Sequence, residues 1–371
     1  MRLFVGGYSA DAGGAATGIG VVHAGDGADA LAGGQLSTGA DAVSVDGSPS
    51  WLAWHPTLDV LYAAQESAGT VQAFRRTGEE SFVPLGPAAP AGDAVCHVAV
   101  EPGGRWLLAS CWGDGHLVRM PLDERGVPSS PVLAPAAVDP YASATDLDPR
   151  SGIPGGFSAP APAAAGDDRP SRTHQAVFVP RSQVITIDLG LDHLRVWDVT
   201  TGAMPGRMRG RQSVVLPHGS GPRHAVWHPS GHLYVVTELS LEVFVVAPGA
   251  DGVWRVVGSV PLSPQTQQGT DFAAGIELAA DGQFVSVGVR GSDTIATLRV
   301  RGSGDQLQPE ALTESGVAWP RHHLVARDNL YVAGQHSHDV VSLPLDARTG
   351  IPSRPRSRTA IASPSHLLPD R

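Results

Sequence analysis

Short runs of apolar residues alternate with turn-forming residues along almost the whole chain, and one arrangement recurs. It consists of an apolar strand, a turn containing Pro, Asp or Gly, a second strand of alternating apolar residues, a polar turn and a third strand. Six copies can be followed directly, at residues 50–74, 96–120, 174–197, 223–246, 274–300 and 321–343. The repetition predicts a series of similar antiparallel β-sheets.

A seventh copy is divided between the two ends of the chain. The C-terminal sequence SPSHLLPDR continues in the same pattern into the N-terminal sequence MRLFVGGYS, as if the chain were circular. One interval between copies is longer than the others because it contains a Pro/Ala/Gly-rich insertion at about residues 126–170, and the remaining spacing is near that of a four-stranded propeller blade. We therefore predict an all-β fold in which residues 1–371 form a single seven-bladed β-propeller, with ring closure between the N- and C-terminal segments.

The overall composition is compatible with this fold. Apolar residues make up 42 % of the chain and charged residues 17 %, which is enough for a large buried core. The 45 Gly and 31 Pro residues favour short strands and frequent turns over long helices. Because the formal net charge is −10, we expect binding neither to nucleic acid nor to a membrane surface. The N-terminal apolar run is too short for a signal peptide, so we expect a cytoplasmic protein.

The basic residues and the cysteines limit the possible chemistry. All 26 basic residues are Arg, which excludes a Schiff-base lysine and the lysine of a phosphate-binding P-loop. An anion site must therefore use Arg, His or backbone N–H groups. Cys96 and Cys111 are the two cysteines, which provide neither a disulfide framework nor a four-ligand zinc set.

The repeat also predicts which side chains meet at one end of the central channel. The innermost strand of a blade is antiparallel to the next, so the residue that opens the first strand lies near the residue that ends the second. The opening positions are Ser50, Cys96, His174, Arg223, Ala274, Arg321 and Ser363. The ending positions are Gln65, Cys111, Asp188, Glu238, Val289, Gln335 and Gly7.

Three copies carry polar residues at these positions where most copies carry small or apolar ones. His174, Arg223 and Arg321 open their strands, and the corresponding ends are Asp188, Glu238 and Gln335. Two guanidinium groups suit a carboxylate or a phosphate and could also stabilise an oxyanion. The imidazole and the Glu carboxylate could activate water against a carbonyl. Three structural interpretations remain open, namely a buried His174 bonded to a neighbouring backbone carbonyl, an ion pair between Glu238 and Arg223, and a turn cap formed by Asp188.

Three stretches of the chain resemble the propeller-type lactonases, a family that includes bacterial 6-phosphogluconolactonase and fungal carboxymuconate cyclases. They are GPRHAVWHPSGHLYVVTEL (221–239), THQAVFVP with IDLGLDHLRVW (173–197), and WPRHHLVARDNLYVAGQHSHDVV (319–341). The resemblance extends over nearly the whole chain. It implies that His174 and Glu238 carry out acid and base chemistry, that Arg223 and Arg321 hold an anion, and that no metal or organic cofactor is needed.

The chain departs from the family pattern at two places. Where Pro-His-x-His is expected, the sequence has Ser-Arg-Thr-His, so that Arg172 replaces the first histidine. Arg172 could contact a more anionic substrate or could face solvent. The last full copy has Gly before Gln335 where Asn is usual.

The leading hypothesis is a hydrolase that opens a small anionic sugar lactone such as 6-phosphogluconolactone. In this hypothesis His174, Glu238 and Arg223 are catalytic, and the substrate-binding residues are Arg321, Arg172, Gln335 and Asp188. Two alternatives stay open at this point. One is a cyclase or isomerase acting on a muconate-type dicarboxylate, and the other is a non-catalytic propeller that serves as an interaction platform.

Overall fold

A computed structural model of the chain describes residues 1–25, 35–142, 169–199 and 208–371. The strands in these residues form seven antiparallel sheets. The prediction of an all-β, seven-bladed β-propeller is therefore confirmed. In the described part of the chain, no helix is long and apolar enough to cross a membrane.

The strands are numbered in chain order and grouped by blade. Blade 1 begins with β1 (Arg2–Gly7), β2 (Gly18–Ala24), β3 (Leu36–Thr38) and β4 (Val43–Ser44). Blade 2 contains β5 (Pro49–Trp54), β6 (Val60–Gln65), β7 (Thr70–Arg76), β8 (Phe82–Pro84) and β9 (Ala89–Pro90). Blade 3 contains β10 (Val95–Val100), β11 (Trp106–Cys111), β12 (Leu117–Pro121) and β13 (Val132–Leu133). Blade 4 contains β14 (Thr173–Val179), β15 (Gln183–Asp188), β16 (His193–Val199) and β17 (Met208–Val215).

The remaining blades follow the same order. Blade 5 contains β18 (Pro222–Trp227), β19 (Leu233–Thr237), β20 (Glu242–Pro248) and β21 (Trp254–Pro261). Blade 6 contains β22 (Phe272–Leu278), β23 (Phe284–Arg290), β24 (Thr294–Arg301) and β25 (Gln306–Glu314). Blade 7 contains β26 (Pro320–Ala326), β27 (Asn329–Gly334), β28 (Asp339–Pro344) and β29 (Ser357–Ala360). The last strand, β30 (Pro364–Pro369), returns to blade 1.

Ring closure depends on the pairing of the two ends of the chain. Strand β30 is antiparallel to β1, with Leu3 opposite Pro369 and Val5 opposite Leu367. The main sheet of blade 1 therefore has the order β3-β2-β1-β30, in which the C-terminal strand is innermost. Each innermost strand packs beside the next around a complete circle, including β26 against β30 and β30 against β5. The predicted closure between the N- and C-terminal segments is confirmed.

The apolar faces of the blades are buried against each other. One cluster joins blades 2 and 3 through buried side chains such as Tyr62 and Leu107. Another joins blades 4 and 5 through Ile185 and Val235, among others. A four-stranded sheet has two apolar faces that it cannot bury alone, so stacking around the ring provides the hydrophobic stabilisation of every blade.

The predicted insertion at about residues 126–170 falls partly outside the described residues, which exclude 143–168. Its first part contains β13, the outermost strand of blade 3, which pairs with β12. At its far end, Arg169 forms an ion pair of 2.6 Å with Asp139 and a second ion pair with Asp192. These contacts hold both flanks of the undescribed residues beside blade 4.

Candidate functional site

Every innermost strand has a β-bulge at the same end of the channel. In six blades one residue of the innermost strand has no counterpart in the second strand, and the register shifts there. In blade 6 two residues, Ala274 and Gly275, lie opposite Gly288 alone. The bulge positions are Ser50, Cys96, His174, Arg223, Ala274, Arg321 and Ser365. A bulge bends its strand and redirects a side chain. The bulge therefore recurs at equivalent positions of the blades, and six of these seven residues, all except Ala274, line one cavity.

Six of these seven positions are those that the sequence repeat predicts, and the seventh differs by two residues. The prediction names Ser363, whereas the structure places Ser365 at the bulge of blade 1. The count started from Pro369 as a turn residue, but Pro369 is paired with Leu3 inside strand β30. The prediction was therefore wrong at this position because the reference residue lies within a strand.

The residues predicted at the end of the second strand lie one position too early in five of the seven blades. Gln65, Cys111, Asp188, Val289 and Gly7 all pair with the residue before a bulge. The residues that follow them correspond to Glu238 and Gln335 in blades 5 and 7. They are Tyr8, Glu66, Trp112, Leu189 and Arg290. A shift of one residue moves a side chain to the opposite face of a sheet, and for this reason sequence reasoning missed Tyr8, Glu66 and Arg290.

A cavity opens at this mouth between the innermost strands. Its lining comes from six of the seven blades and includes charged, aromatic and hydroxyl side chains. The lining residues are Tyr8, Ser50, Trp51, Glu66, Cys96, His174, Arg223, His224, Arg321 and Ser365. The structure therefore brings together three of the predicted site residues, His174, Arg223 and Arg321, from blades 4, 5 and 7.

Glu238 lies between two buried arginines. Its Oε2 atom is 2.5 Å from Nη1 of Arg223, and its Oε1 atom is 3.0 Å from Nη2 of Arg290. The guanidinium side chains are 6 % and 5 % exposed, so both ion pairs are well shielded from water. Burial alone would raise the pKa of Glu238, but Arg223 and Arg290 outweigh that effect and hold the pKa below its ordinary value. The ionised Glu238 therefore pairs with both guanidinium groups, and we call this arrangement of Glu238, Arg223 and Arg290 the clamp.

Arg321 has a different environment. Its guanidinium lies over the ring of Tyr8, 4.8 Å from the ring centroid. Among the described residues, no carboxylate oxygen comes within the 4.0 Å of an ion pair with Arg321. Because a guanidinium carries five N–H donors in a planar fork, Arg321 is well suited to bind an anionic group in the cavity.

Tyr8 and Glu66 form a second polar pair beside Arg321. The Tyr8 hydroxyl donates a hydrogen bond of 3.0 Å to Oε2 of Glu66. Burial raises the pKa of Tyr8 above its ordinary value, so the hydroxyl stays protonated and remains a donor. The cavity is thus flanked by two carboxylates, Glu66 in blade 2 and Glu238 in blade 5, which have different partners.

His174 is a neutral imidazole in this site. Its side chain is buried, and its pKa is lowered well below 6.5 by desolvation and by the nearby charges of Arg223 and Arg321. The Nδ1 atom has no hydrogen-bond partner among the described residues. The ring meets that of His224 edge to face, with centroids 4.8 Å apart. His174 can therefore give or accept a hydrogen bond, but it does not carry charge near pH 7.

The other predicted site residues lie outside the cavity lining. Asp188 accepts hydrogen bonds from the hydroxyl of Ser171 at 2.5 Å and from the backbone N–H groups of Arg172, Gly190 and Leu191 at 2.8 to 3.1 Å. These bonds cap the turn that ends β15. Arg172 stacks on the ring of Trp112 at 4.2 Å and donates to the carbonyl oxygen of that residue at 3.0 Å.

Gln335 stands at the rim of the mouth, directly after strand β27. Its Oε1 atom is buried and has no hydrogen-bond partner in the described part of the chain.

Trp51 blocks the channel below the cavity. Its ring centroid lies 3.9 Å from that of His366, 4.6 Å from that of His97, 5.3 Å from that of His224 and 5.4 Å from that of His322. These histidines belong to blades 1, 3, 5 and 7, so an indole that touches all four lies across the axis of the ring. The cavity therefore has a solid floor.

We expect the buried histidines to make the fold sensitive to mild acid. Desolvation lowers the pKa of His97 and of His322 to about 3, and it lowers the pKa of His366 well below 6.5. Below pH 6.5 these histidines bind protons in the unfolded chain but not in the folded chain, so the free energy of unfolding falls as the pH falls. Each such histidine contributes up to about 1.4 kcal/mol per pH unit. Thermal unfolding followed between about pH 7 and about pH 5 should show a steep fall in melting temperature.

His322→Gln provides the matched variant for this measurement. Nδ1 of His322 accepts the backbone N–H of Leu367 at 3.3 Å, and Gln175 accepts the N–H of Ala225 at 2.6 Å at the equivalent place in blade 4. Glutamine can therefore replace the bond without titrating. The variant should lose less stability on acidification, and a melting temperature that is constant across this pH range in the unmodified chain would contradict the prediction.

Comparisons with known proteins agree with the geometry. The family described as "Lactonase, 7-bladed beta-propeller" matches residues 2–369. The 6-phosphogluconolactonase of Bacillus subtilis (strain 168) is 28 % identical over 316 residues, which cover 82 % of each chain.

Solved structures share the whole fold at lower sequence identity. A periplasmic gluconolactonase of Pseudomonas aeruginosa has a TM-score of 0.78 and 22 % identity, and the match covers 99 % of this chain and 98 % of that one. A putative 6-phosphogluconolactonase of Bacteroides fragilis has a TM-score of 0.79 and 17 % identity, with 99 % and 96 % covered. At such identities the similarity establishes the common fold.

Proposed function

The chain belongs to the seven-bladed β-propeller lactonase family, and from that premise we propose that it hydrolyses the lactone of a small anionic sugar acid, with 6-phosphogluconolactone as the first substrate to test. The observation that carries the proposal is the charge pattern of the mouth. Arg223, Arg290 and Arg321 face two carboxylates, Glu66 and Glu238, while His174 is neutral. One positive charge is therefore in excess among these groups, which favours an anionic ligand.

Arg321 is the residue that supports binding of the substrate's anionic group. Two of the three arginines are engaged by Glu238, whereas Arg321 has no carboxylate within ion-pair distance in the described residues. A phosphate or carboxylate would supply the missing counter-charge through paired N–H···O bonds. Arg321 is partly buried, and the lower local dielectric strengthens such a contact relative to the same contact in water.

Besides binding the anionic group, the site has to stabilise the reacting carbonyl, and Arg223 and His174 fit that role. Attack of water on a lactone carbonyl places negative charge on the carbonyl oxygen, and fixed donors near that oxygen lower the barrier. Both side chains line the cavity, and Arg223 is held in place by its 2.5 Å contact with Glu238. His174 is neutral, so it serves as a hydrogen-bonding group and not as a charged acid. Proton transfer then falls to a carboxylate at the mouth.

The test is ring opening of freshly prepared 6-phosphogluconolactone, measured above its spontaneous rate. Arg321→Gln should raise KM for this substrate at least about tenfold, because a charge-assisted bond is worth about 1.5 to 3 kcal/mol. It should change the kinetics with uncharged gluconolactone much less. Arg209→Gln, on the exposed outermost strand of blade 4, is the matched control and should behave like the unmodified chain.

Two results would count against the proposal. The first is hydrolysis of neither lactone faster than the spontaneous reaction. The second is conversion of a muconate-type dicarboxylate, assayed in parallel, without any lactone hydrolysis, which would favour the cyclase alternative.

A further inference from the structure

The two carboxylates at the mouth are not equivalent. Both oxygens of Glu238 are occupied by guanidinium groups, at 2.5 Å and 3.0 Å. Glu66 has a single side-chain hydrogen bond, from the Tyr8 hydroxyl at 3.0 Å, and forms no ion pair with an arginine in the described part of the chain. Glu66 lines the cavity directly. One carboxylate is thus fixed by cations, and the other faces the space where a substrate would bind.

Lactone hydrolysis requires one group that first takes a proton and then returns it. Attack of water forms a C–O bond at the carbonyl carbon and releases a proton. Cleavage of the ring C–O bond then leaves an oxygen that needs a proton. A carboxylate can serve both steps if it can bind a proton at moderate cost. Two adjacent arginines make this costly for Glu238, because protonation would remove the charge that holds them.

We propose that Glu66 is the catalytic carboxylate, which accepts the proton of the attacking water and passes it to the ring oxygen as the ring opens. This inference rests on the proposed lactonase function. The steps balance without another reactant, since one water is consumed, one ester bond breaks, and the proton moves from water to Glu66 to the product hydroxyl. At neutral pH the new carboxylic acid then loses its proton to water, which leaves the product with one more negative charge than the substrate.

Tyr8 is the positioning residue for Glu66. Its hydroxyl holds Oε2, which leaves Oε1 as the oxygen available to water. Arg321, stacked on the Tyr8 ring at 4.8 Å, brings the bound anion to the same side of the cavity. The titratable and charged groups that interact with Glu66 are Tyr8 of blade 1, Cys96 of blade 3 and Arg321 of blade 7. The first two are uncharged near neutral pH, because burial raises the pKa of each.

Glu238 then has a positioning role of its own. It fixes Arg223 and Arg290 by contacts that a neutral amide would replace only in part. The pH dependence of kcat distinguishes the two carboxylates. Only the carboxylate that takes up a proton from the attacking water has to be ionised for the reaction, so only that group produces a fall of kcat at acidic pH.

The experiment compares Glu66→Gln, Tyr8→Phe and Glu238→Gln in the full chain with freshly prepared 6-phosphogluconolactone. Glu66→Gln should lower kcat by about 10²- to 10³-fold, with KM nearly unchanged, and should abolish the fall of kcat on the acidic side. Tyr8→Phe removes a donor to the charged form of Glu66, so it should shift that acidic limb to higher pH. Glu238→Gln should retain the acidic limb. Glu124→Gln, in an exposed loop, is the matched control.

Circular dichroism and melting temperature establish that each variant is folded, and the Tyr8→Phe shift gives a readout that does not depend on the Glu66 variant. Hydrolysis by Glu66→Gln at the rate of the unmodified chain would overturn this inference and leave the lactonase function intact. Loss of the acidic limb in Glu238→Gln, and not in Glu66→Gln, would also overturn it. Absence of lactone hydrolysis by the unmodified chain would overturn both proposals together.

Discussion

A chain that ends at Ala362 should fail to form a stable propeller. The deletion removes β30, the innermost strand of blade 1, and with it the buried side chains of Ser365, His366 and Leu367. Strand β1 loses one of its two partners and keeps β2, and β5 and β26 lose the strand that lies between them. The free energy of unfolding of a whole domain is only about 5 to 15 kcal/mol, so loss of an entire central strand should exceed it or nearly so.

Gel filtration and thermal unfolding by circular dichroism provide the measurement. We expect an aggregated product, or a melting temperature that is lower by more than about 10 °C. Deletion of the exposed Arg371 alone is the control, and it should cost little because this residue follows the last paired strand. A truncated chain that melts like the full one would show that closure does not stabilise the ring.

The second large effect is expected at Glu238. Glu238→Leu would leave Arg223 and Arg290 buried without their counter-charge, and breaking a buried ion pair in this way typically costs about 3 to 5 kcal/mol. Glu238→Gln keeps the shape but weakens the clamp, so the arginines should move. Because small displacements of positioned groups cost about 10²-fold in rate, we expect a loss of that order in lactone hydrolysis. Urea unfolding and initial rates measure the two effects.

Glu310 offers a matched control on the outer strand of blade 6. It also contacts two arginines, with Nε of Arg299 at 2.8 Å and Nη2 of Arg301 at 3.4 Å, but Arg301 is 47 % exposed. Glu310 is 21 % and Arg299 is 19 % exposed, against 5 to 6 % for the arginines that contact Glu238, so we expect Glu310→Gln to cost less stability than Glu238→Gln and to leave activity nearly unchanged. Equal losses at Glu310 and Glu238 would mean that burial of the clamp is unimportant.

The repeat predicted the blades and the circle because both follow from the spacing of apolar residues. It also predicted Arg223, Arg321 and His174 as mouth residues, because the bulge occurs at the same distance from the start of each copy. It missed Tyr8, Glu66 and Arg290 because the turn lengths differ between copies, and counting from the turn therefore loses one residue. Tyr8 and Glu66, like Glu238 and Gln335, are each the first residue after the second strand, so counting from the end of that strand would have recovered these two. Arg290 is the last residue of β23 and would still have been missed.

Other contacts of the site depend on how the blades pack, which the spacing of residues along the chain does not predict. Glu238 could have paired with one arginine, with two or with none, and only the placement of blades 5 and 6 brings Arg290 within 3.0 Å of it. Arg172 stacks on Trp112 of the preceding blade, a contact between residues 60 positions apart. Such contacts are set by how neighbouring blades pack, and a pattern within one copy carries no information about them.

Because the indole of Trp51 lies across the axis of the ring, the cavity is open only on the side away from Trp51. In the proposed reaction the substrate and the acid formed from it use this same opening, so the product has to leave before the next substrate can enter. In the proposed reaction, ring opening adds a negative charge to the bound molecule, so the arginines at the opening attract the product more strongly than they attract the substrate. In the proposed reaction the charge of this opening therefore acts on product release as well as on the hydrolysis step.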